Sequence, residues 1–476
     1  MVGRAKESKK LMQLYQRKKA EFVAVYGRRR VGKTYLIDEV FEGKFTFHHA
    51  GLSPVEGPKK GSLQEQLQHF YYSLLLHGMQ ETHCPESWME AFFMLEKWLE
   101  EKDTGERQLV FLDELPWMDT PRSGFITALE GFWNTWGSHR KNLMLIVCGS
   151  ASSWIQDHLI NNHGGLYNRV TCEIRLTSFT LKECEDFLKN KGVVLSRYDI
   201  VQSYMIFGGI PYYLDYFDPE LSLAQNVDQI LFARDAPLRD EYDRLFSSAF
   251  SNPLLMKQMI ELLYTRNAGY TRKELAEKLR MSSGGTLSSS LNALVGSDFV
   301  VRYVPFGAKG KVEHYKLSDP FCLFYLHFIT NRKKADAHFW VNNQNLPAVS
   351  SWRGFAFENV CFNHIEEIKR ALGISGIRAD CSAWSKREDD ADGTQIDLLL
   401  ERDDHVVNAC ELKFYSKEFL VDKAYDRTLR NRQDLLRREL SPKCAIHNTL
   451  ITTYGLVRNE YSGFFVRVLT LDDLFS

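Results

Sequence analysis

The stretch Val23-Ala-Val-Tyr26-Gly27-Arg-Arg-Arg-Val-Gly32-Lys33-Thr34 decides the fold. Its apolar start reads as a buried strand. The pattern G-x-x-x-x-G-K-[ST] follows at once, and Tyr35 to Phe41 continues with helical spacing, so the motif has the flanks its chemistry needs. Backbone N–H groups must turn inward around phosphate oxygens, and Gly27 and Gly32 tolerate the close approach and unusual dihedrals this requires. Lys33 is expected to reach the terminal phosphates and Thr34 to ligate Mg²⁺, while the helix N-terminus adds partial positive charge. Arg28, Arg29, Arg30, Val31 and Tyr35 complete the binding stretch. The three arginines read equally well as phosphate contacts, partner contacts or a solvated loop.

Downstream, Leu109-Val-Phe-Leu-Asp113-Glu114 delivers two carboxylates at the end of a second apolar strand, where α/β folds bind ligands. Asp113 is expected to hold the Mg²⁺ shell and Glu114 to act as general base on the attacking water. A third strand, Leu143 to Cys148, ends in Gly149-Ser150, where a polar residue either senses the γ phosphate or makes an ordinary turn. Arg169 is the candidate arginine finger acting on a neighbouring subunit, with a plain surface arginine as the alternative. Helical segments Ser62 to His77 and Trp88 to Glu101 separate the strands, which is the alternation of an α/β domain.

Further out, Thr180 to Asn252 reads as mainly helical and as a lid. Pro253–Tyr264, Thr271–Leu279 and Thr286–Val295 are expected as three helices. Phe299–Val304 and Val312–Leu317 then form a hairpin around the turn at Gly307–Gly310, the outline of a winged helix. Asn342–Ser351 is expected to be a polar linker, Phe355–Leu372 a helix, and Ile396–Glu401 and Val406–Glu411 strands joined by Arg402-Asp-Asp404. The chain thus divides into 1–176, 177–252, 253–333 and 334–476.

Over 476 residues, 60 Lys and Arg almost cancel 61 Asp and Glu, so any basic surface for nucleic acid must be local. At 44% hydrophobic and 25% charged, the chain is neither disordered nor a disulfide scaffold. Its nine cysteines are scattered without Cys-x-x-Cys pairs and read as reduced, mostly buried thiols. No apolar run approaches the roughly 18 residues of a membrane span. These features point to the cytoplasm and to no membrane partner.

Gly3-Arg4 with Glu7, the arginine-rich loop, Leu112-Asp113-Glu114 and Phe207-Gly-Gly-Ile-Pro-Tyr-Tyr-Leu214 together resemble the archaeal-type ATPases of the AAA+/STAND group. The resemblance spans essentially the whole chain. It implies an α/β P-loop NTPase with a helical lid, a winged-helix middle domain and a C-terminal α/β restriction-endonuclease-like domain of the PD-(D/E)xK type. It also implies ATP as the nucleotide.

The C-terminal region carries residues for such a site. Asp397 closes Gly393-Thr-Gln-Ile-Asp397, and Glu411-Leu-Lys413 follows on the next strand. Residues two apart on a strand share a face, so Glu411 and Lys413 converge, with Asp397 facing them. Glu358, Asp397 and Glu411 are the expected metal ligands, and Lys413 positions water or offsets charge. The bland alternative is a salt bridge between Glu411 and Lys413. Arginines 427, 430, 432, 437 and 438 would track phosphates on the following helix, though interleaved acids suggest a solvated face. The leading reading is an ATP-hydrolysing switch coupled to a nuclease-like, DNA-binding module, with a homo-oligomer compatible. The alternative is a signalling or scaffold ATPase whose C-terminal domain binds a protein partner.

Overall fold

The computed structural model describes residues 2–53, 62–161, 164–250, 252–282, 284–307, 312–330, 336–388 and 391–476, the side chains of 248–249, 385–388 and 391–393 excepted. Two compact units divide the chain. The first comprises Met1–Ser178, Asp243–Met256 and Asn292–Asp298. The second comprises Phe179–Tyr242, Lys257–Leu291 and Phe299–Ser476.

The first unit is built on five parallel strands: β1 (Glu21–Gly27), β2 (Phe47–Ala50), β3 (Gln108–Asp113), β4 (Leu143–Gly149) and β5 (Cys172–Leu176), in the order β2-β3-β4-β1-β5. Every residue of β1, β3 and β4 is buried, as expected of strands covered on both faces. Strands β2 and β5 are shorter and only partly buried. Helix Leu63–Leu76 starts at a reciprocal capping box between Ser62 and Glu65, and Trp88–Glu101 starts at Ser87, whose hydroxyl accepts from the Glu90 amide. Their apolar faces meet in an aromatic layer. Phe70 and Trp88 lie 5.5 Å apart, edge to face, and Trp88 and Phe125 lie 4.9 Å apart in the same manner. Such pairs add about 0.5–1.5 kcal/mol each beyond their buried area.

In the second unit, Pro253–Tyr264 (from Lys257), Arg272–Lys278 and Gly285–Gly296 (to Leu291) accompany a small sheet ordered β6-β8-β7, made of β6 (Tyr270–Thr271), β7 (Val300–Tyr303) and β8 (His314–Leu317). Thr271 caps Arg272–Lys278 through a capping box with Glu274. The turn expected at Gly307–Gly310 lies, beyond Gly307, outside the described residues. A second five-stranded sheet has the order β13-β12-β11-β10-β9, from β9 (Ala379–Glu388), β10 (Ala391–Arg402), β11 (Val406–Lys413), β12 (Ala445–Thr452) and β13 (Arg467–Leu469). Strands β9, β10 and β11 are antiparallel neighbours; β11, β12 and β13 run parallel. Helix Lys423–Glu439 makes the crossover from β11 to β12, as a parallel connection requires.

Two expectations about local structure are corrected. The segment Asn342–Ser351 is no linker: Phe339–Asn343 is helical, and Pro347–Asn363 begins with its proline at the first turn, where the missing N–H costs nothing. Trp340 and Trp352 anchor it, packing edge to face on Phe324 at 5.1 and 5.5 Å. The helix expected over Phe355–Leu372 is interrupted at His364, whose backbone leaves the helical region at φ −121, ψ 33. That ring is fully buried, bonding the Val360 carbonyl at 2.7 Å and accepting from the Leu181 amide at 3.0 Å. Of the nine cysteines, five are buried and one, Cys84, is exposed. Among the described residues, no helix is long and apolar enough to cross a membrane.

Candidate nucleotide site and acidic site

Because β3, β4 and β1 are neighbours, their C-terminal ends gather Asp113, Ser150 and the loop Gly27–Gly32 at one edge of the sheet. The loop takes three positive φ values, at Gly27 (152°), Arg30 (75°) and Gly32 (84°). A Cβ on Gly27 would meet the Leu176 carbonyl oxygen at 2.0 Å, whereas one on Gly32 would meet nothing within 4 Å. Gly27 is thus required by the approach of β5, and Gly32 by its dihedral. Lys33 is buried, and its ammonium donates to the carbonyls of Gly27 (3.1 Å) and Arg28 (3.0 Å). Arg4 clamps the loop from the N-terminus, donating to the carbonyls of Val31 (3.2 Å) and Thr177 (2.6 Å).

The Thr34 hydroxyl donates to Asp113 Oδ2 at 2.8 Å, and Asp113 Oδ1 accepts from the Glu114 amide at 2.8 Å. Glu114 sits at φ 45°, a left-handed conformation unusual for a non-glycine residue. Its carboxylate accepts from the Ser150 amide at 3.1 Å and the Ser150 hydroxyl at 2.9 Å. Ser150, 2% exposed, is therefore a partner of the candidate base rather than an ordinary turn residue. Cys148, fully buried beside Asp113, has its thiol pKa pushed well up by burial. Two oxygen donors side by side, Thr34 and Asp113, suit Mg²⁺.

The solvated-loop reading fails for Arg28. It is 2% exposed, and Asp298, which pairs with Arg175 at 2.5 Å, feels its charge. Arg29 and Arg30 are partly exposed, and Tyr35 is 60% exposed on the helix surface. Arg169 is exposed in the turn before β5, and no hydrogen bond joins its side chain to the residues just described.

In the second unit, Leu398 pairs with Cys410 across β10 and β11, which sets Asp397 beside Glu411. Glu411, 5% exposed, receives Lys413 at 2.7 Å, Arg432 at 2.5 Å and the Tyr425 hydroxyl. Burial pushes its pKa up, yet Lys413, Arg432 and Tyr425 outweigh that and hold it below the usual carboxylate range. Asp397 goes the other way, to about 7, through burial and the charges of Glu358 and Glu411. Glu358 is 8% exposed and also raised by burial; it accepts from Asn267 Nδ2 at 3.0 Å. A cavity of about 710 Å³ opens over Glu358, Asp397 and Lys413.

The three-carboxylate shell is not assembled. Among the described residues no group of three His, Cys, Asp or Glu side chains is placed to hold a metal ion, and Glu411 is paired with Lys413 and Arg432. Glu358 and Asp397 are left as the carboxylates without an ion pair, the oxygen donors that would hold a divalent cation there. Arg432 is likewise no phosphate rail: it turns inward to Glu411, while Arg430 bonds Asp426 one turn back at 2.8 Å. Asn267 and Tyr425 escaped the sequence reading, since neither lies in a motif.

Residues 1–217 match the family of ATPase domains found predominantly in Archaea. The chain is also 26% identical over 408 residues to an uncharacterised protein of Methanocaldococcus jannaschii, covering 84% of each. Among solved structures, the Walker-type ATPase of Pyrococcus abyssi is similar at 17% identity with TM-score 0.47, over 69% of this chain and 96% of that one. The ORC2 protein of Aeropyrum pernix is similar at 14% identity with TM-score 0.41, over 68% and 92%. The family match over 1–217 and the parallel sheet carrying the phosphate loop make this part of the chain an ATP-binding ATPase domain of α/β architecture.

Proposed function

We propose that the protein is a Mg²⁺-dependent ATP-hydrolysing switch coupled to a nuclease-like, DNA-binding module. Its parts are an ATPase domain (1–176), a helical lid (177–252), a winged helix (253–333) and a PD-(D/E)xK-like domain (334–476). The observation that carries the reading is the 2.8 Å bond joining Thr34 to Asp113 with Glu114 held next to it by Ser150. Lys33 and the backbone of 27–34 would hold the phosphates, and Thr34 and Asp113 the metal. Bound Mg²⁺ supplies charge neutralisation at the phosphoryl oxygens. Glu114 provides the oxygen that takes the proton from water. Arg169 is the residue through which a second copy would act in trans.

One observation supports the nuclease-like fold. The element order Pro347–Asn363, β9, β10, β11, Lys423–Glu439, β12, with Glu358 on the first helix, Asp397 on β10 and Glu411 and Lys413 on β11, supports the nuclease-like reading of the fold. The scaffold reading is favoured by one fact: Glu411 is already neutralised by two protein cations.

ATP hydrolysis with Mg²⁺, wild type against Lys33→Ala, with and without DNA, tests the proposal. DNA-stimulated turnover lost in the variant is expected. Metal-dependent nicking lost in Glu411→Ala supports the nuclease, whereas turnover indifferent to DNA, with no nicking of single strands or duplexes, moves the assignment to the scaffold.

A further inference from the structure

Glu411 has cations of its own, but Glu358, which is buried, and Asp397, which is partly buried, make no ion pair among the described residues. Lys413 and Arg432 act on Asp397, and Lys413 on Glu358 as well, but the strongest positive charge on Glu358 comes from another part of the unit. Lys316, on β8 of the small three-stranded sheet, is 8% exposed. Its ammonium stands 5.2 Å from the centre of the Phe362 ring. Phe362 lies four residues after Glu358 on the same helix, hence on the same face. Asn267, from the segment just before β6, completes the approach with its 3.0 Å bond to Glu358. Lys316 and Asn267 line one cavity of about 580 Å³, which adjoins the helix that carries Glu358. Burial disfavours the charged form of Lys316, and Glu358 followed by Asp397 are the groups that favour it.

A lysine buried so deeply is costly unless something compensates its charge, and two carboxylates left without ion pairs are costly for the same reason. Each offsets the other. A divalent cation entering between Glu358 and Asp397 would meet the repulsion of that ammonium in a poorly screened interior, where charge interactions over several ångströms are strong.

We propose that Lys316 is a built-in counter-cation of the Glu358–Asp397 pair, supplied by the winged-helix sheet, and that it opposes divalent-metal binding at the nuclease-like site until β8 is displaced. The proposal rests on the reading of these carboxylates as a metal site. It adds a gate to that site: β7 and β8 are the two strands of the wing hairpin, so whatever engages the hairpin also acts on the ammonium.

The test is Mn²⁺ binding to the full-length, nucleotide-free protein at pH 8, read from the electron paramagnetic resonance signal of free Mn²⁺. Asp397→Asn defines the fraction bound at the acidic site. Lys316→Met is expected to tighten the Asp397-dependent site on the order of tenfold, while Lys316→Arg, which keeps the charge, stays with wild type. Lys316→Gln repeats the measurement if the methionine variant does not fold. An Asp397-dependent site whose affinity is unchanged or weaker in the neutral variants overturns the counter-cation and leaves the metal-site reading standing. No Asp397-dependent binding in any variant overturns both.

Discussion

Ser150 bonds the Glu114 carboxylate through both its amide and its hydroxyl, and only the amide survives a change to alanine. A hydrogen bond to a charged group contributes about 1.5–3 kcal/mol, so loss of the hydroxyl loosens Glu114 without touching the phosphate loop. Ser150→Ala is therefore expected to lower kcat by about tenfold with KM for ATP little changed; a change confined to KM would assign Ser150 to nucleotide binding instead. The residues of this site were legible in the sequence to different degrees. Lys33, Thr34, Asp113 and Glu114 follow from spacing because they sit in one loop and at one strand end. Arg28 did not: an arginine in a loop gives no sign that it will be buried near Asp298, which lies 270 positions away.

At the scale of elements, the strands and helices with strong periodicity were readable, as with Trp88–Glu101 and β4. Strands β2 and β5 were not, since Phe47-His-His-Ala50 and Cys172-Glu-Ile-Arg-Leu176 are short, partly polar and defined by their neighbours. The linker expectation failed for a related reason: local polarity between 342 and 351 was outweighed by Trp340 and Trp352 on either side. The turn at Gly208-Gly209 shows how tightly such junctions are set. Gly208 ends helix Arg197–Phe207 at φ 69°, and a Cβ on Gly209, at φ 64°, would stand 2.5 Å from the Phe179 carbonyl oxygen and 2.6 Å from the Tyr204 ring. Gly78, at φ 90°, would meet nothing within 4 Å. Gly209→Ala is expected to destabilise the protein by more than about 3 kcal/mol, against about 1 kcal/mol for Gly78→Ala, which pays only the left-handed backbone cost. Equal losses in chemical denaturation would show that the close approach is absorbed elsewhere.

For the whole molecule, acid should act on the two units in different pH ranges. His49 in the first unit is 2% exposed, bonds Ser73 at 2.8 Å, and has its pKa depressed to about 3 by burial and by His69, His48 and His77. The folded state then binds fewer protons than the unfolded one between about 6.5 and 3, so stability falls as pH falls through that window, by up to the order of 5 kcal/mol. In the second unit Glu274 is held down to about 2, chiefly by Arg266, and its contribution is lost only below about pH 4.5. Thermal denaturation followed against pH should show loss beginning near pH 6, and His49→Gln should flatten that upper part; an unchanged slope would remove His49 from the account. Read alone, the chain determines the phosphate loop, the Asp-Glu strand end and the Glu-x-Lys strand, because each is a matter of local spacing that backbone geometry converts directly into a shared edge or face. Only the tertiary structure decides that Arg4 reaches Thr177, that Glu411 is claimed by Arg432, and that Lys316 stands over Phe362 on the helix of Glu358. Those partners lie between 21 and 173 residues apart, and it is the burial of charge, with its demand for an opposite charge wherever the fold supplies one, that selects them.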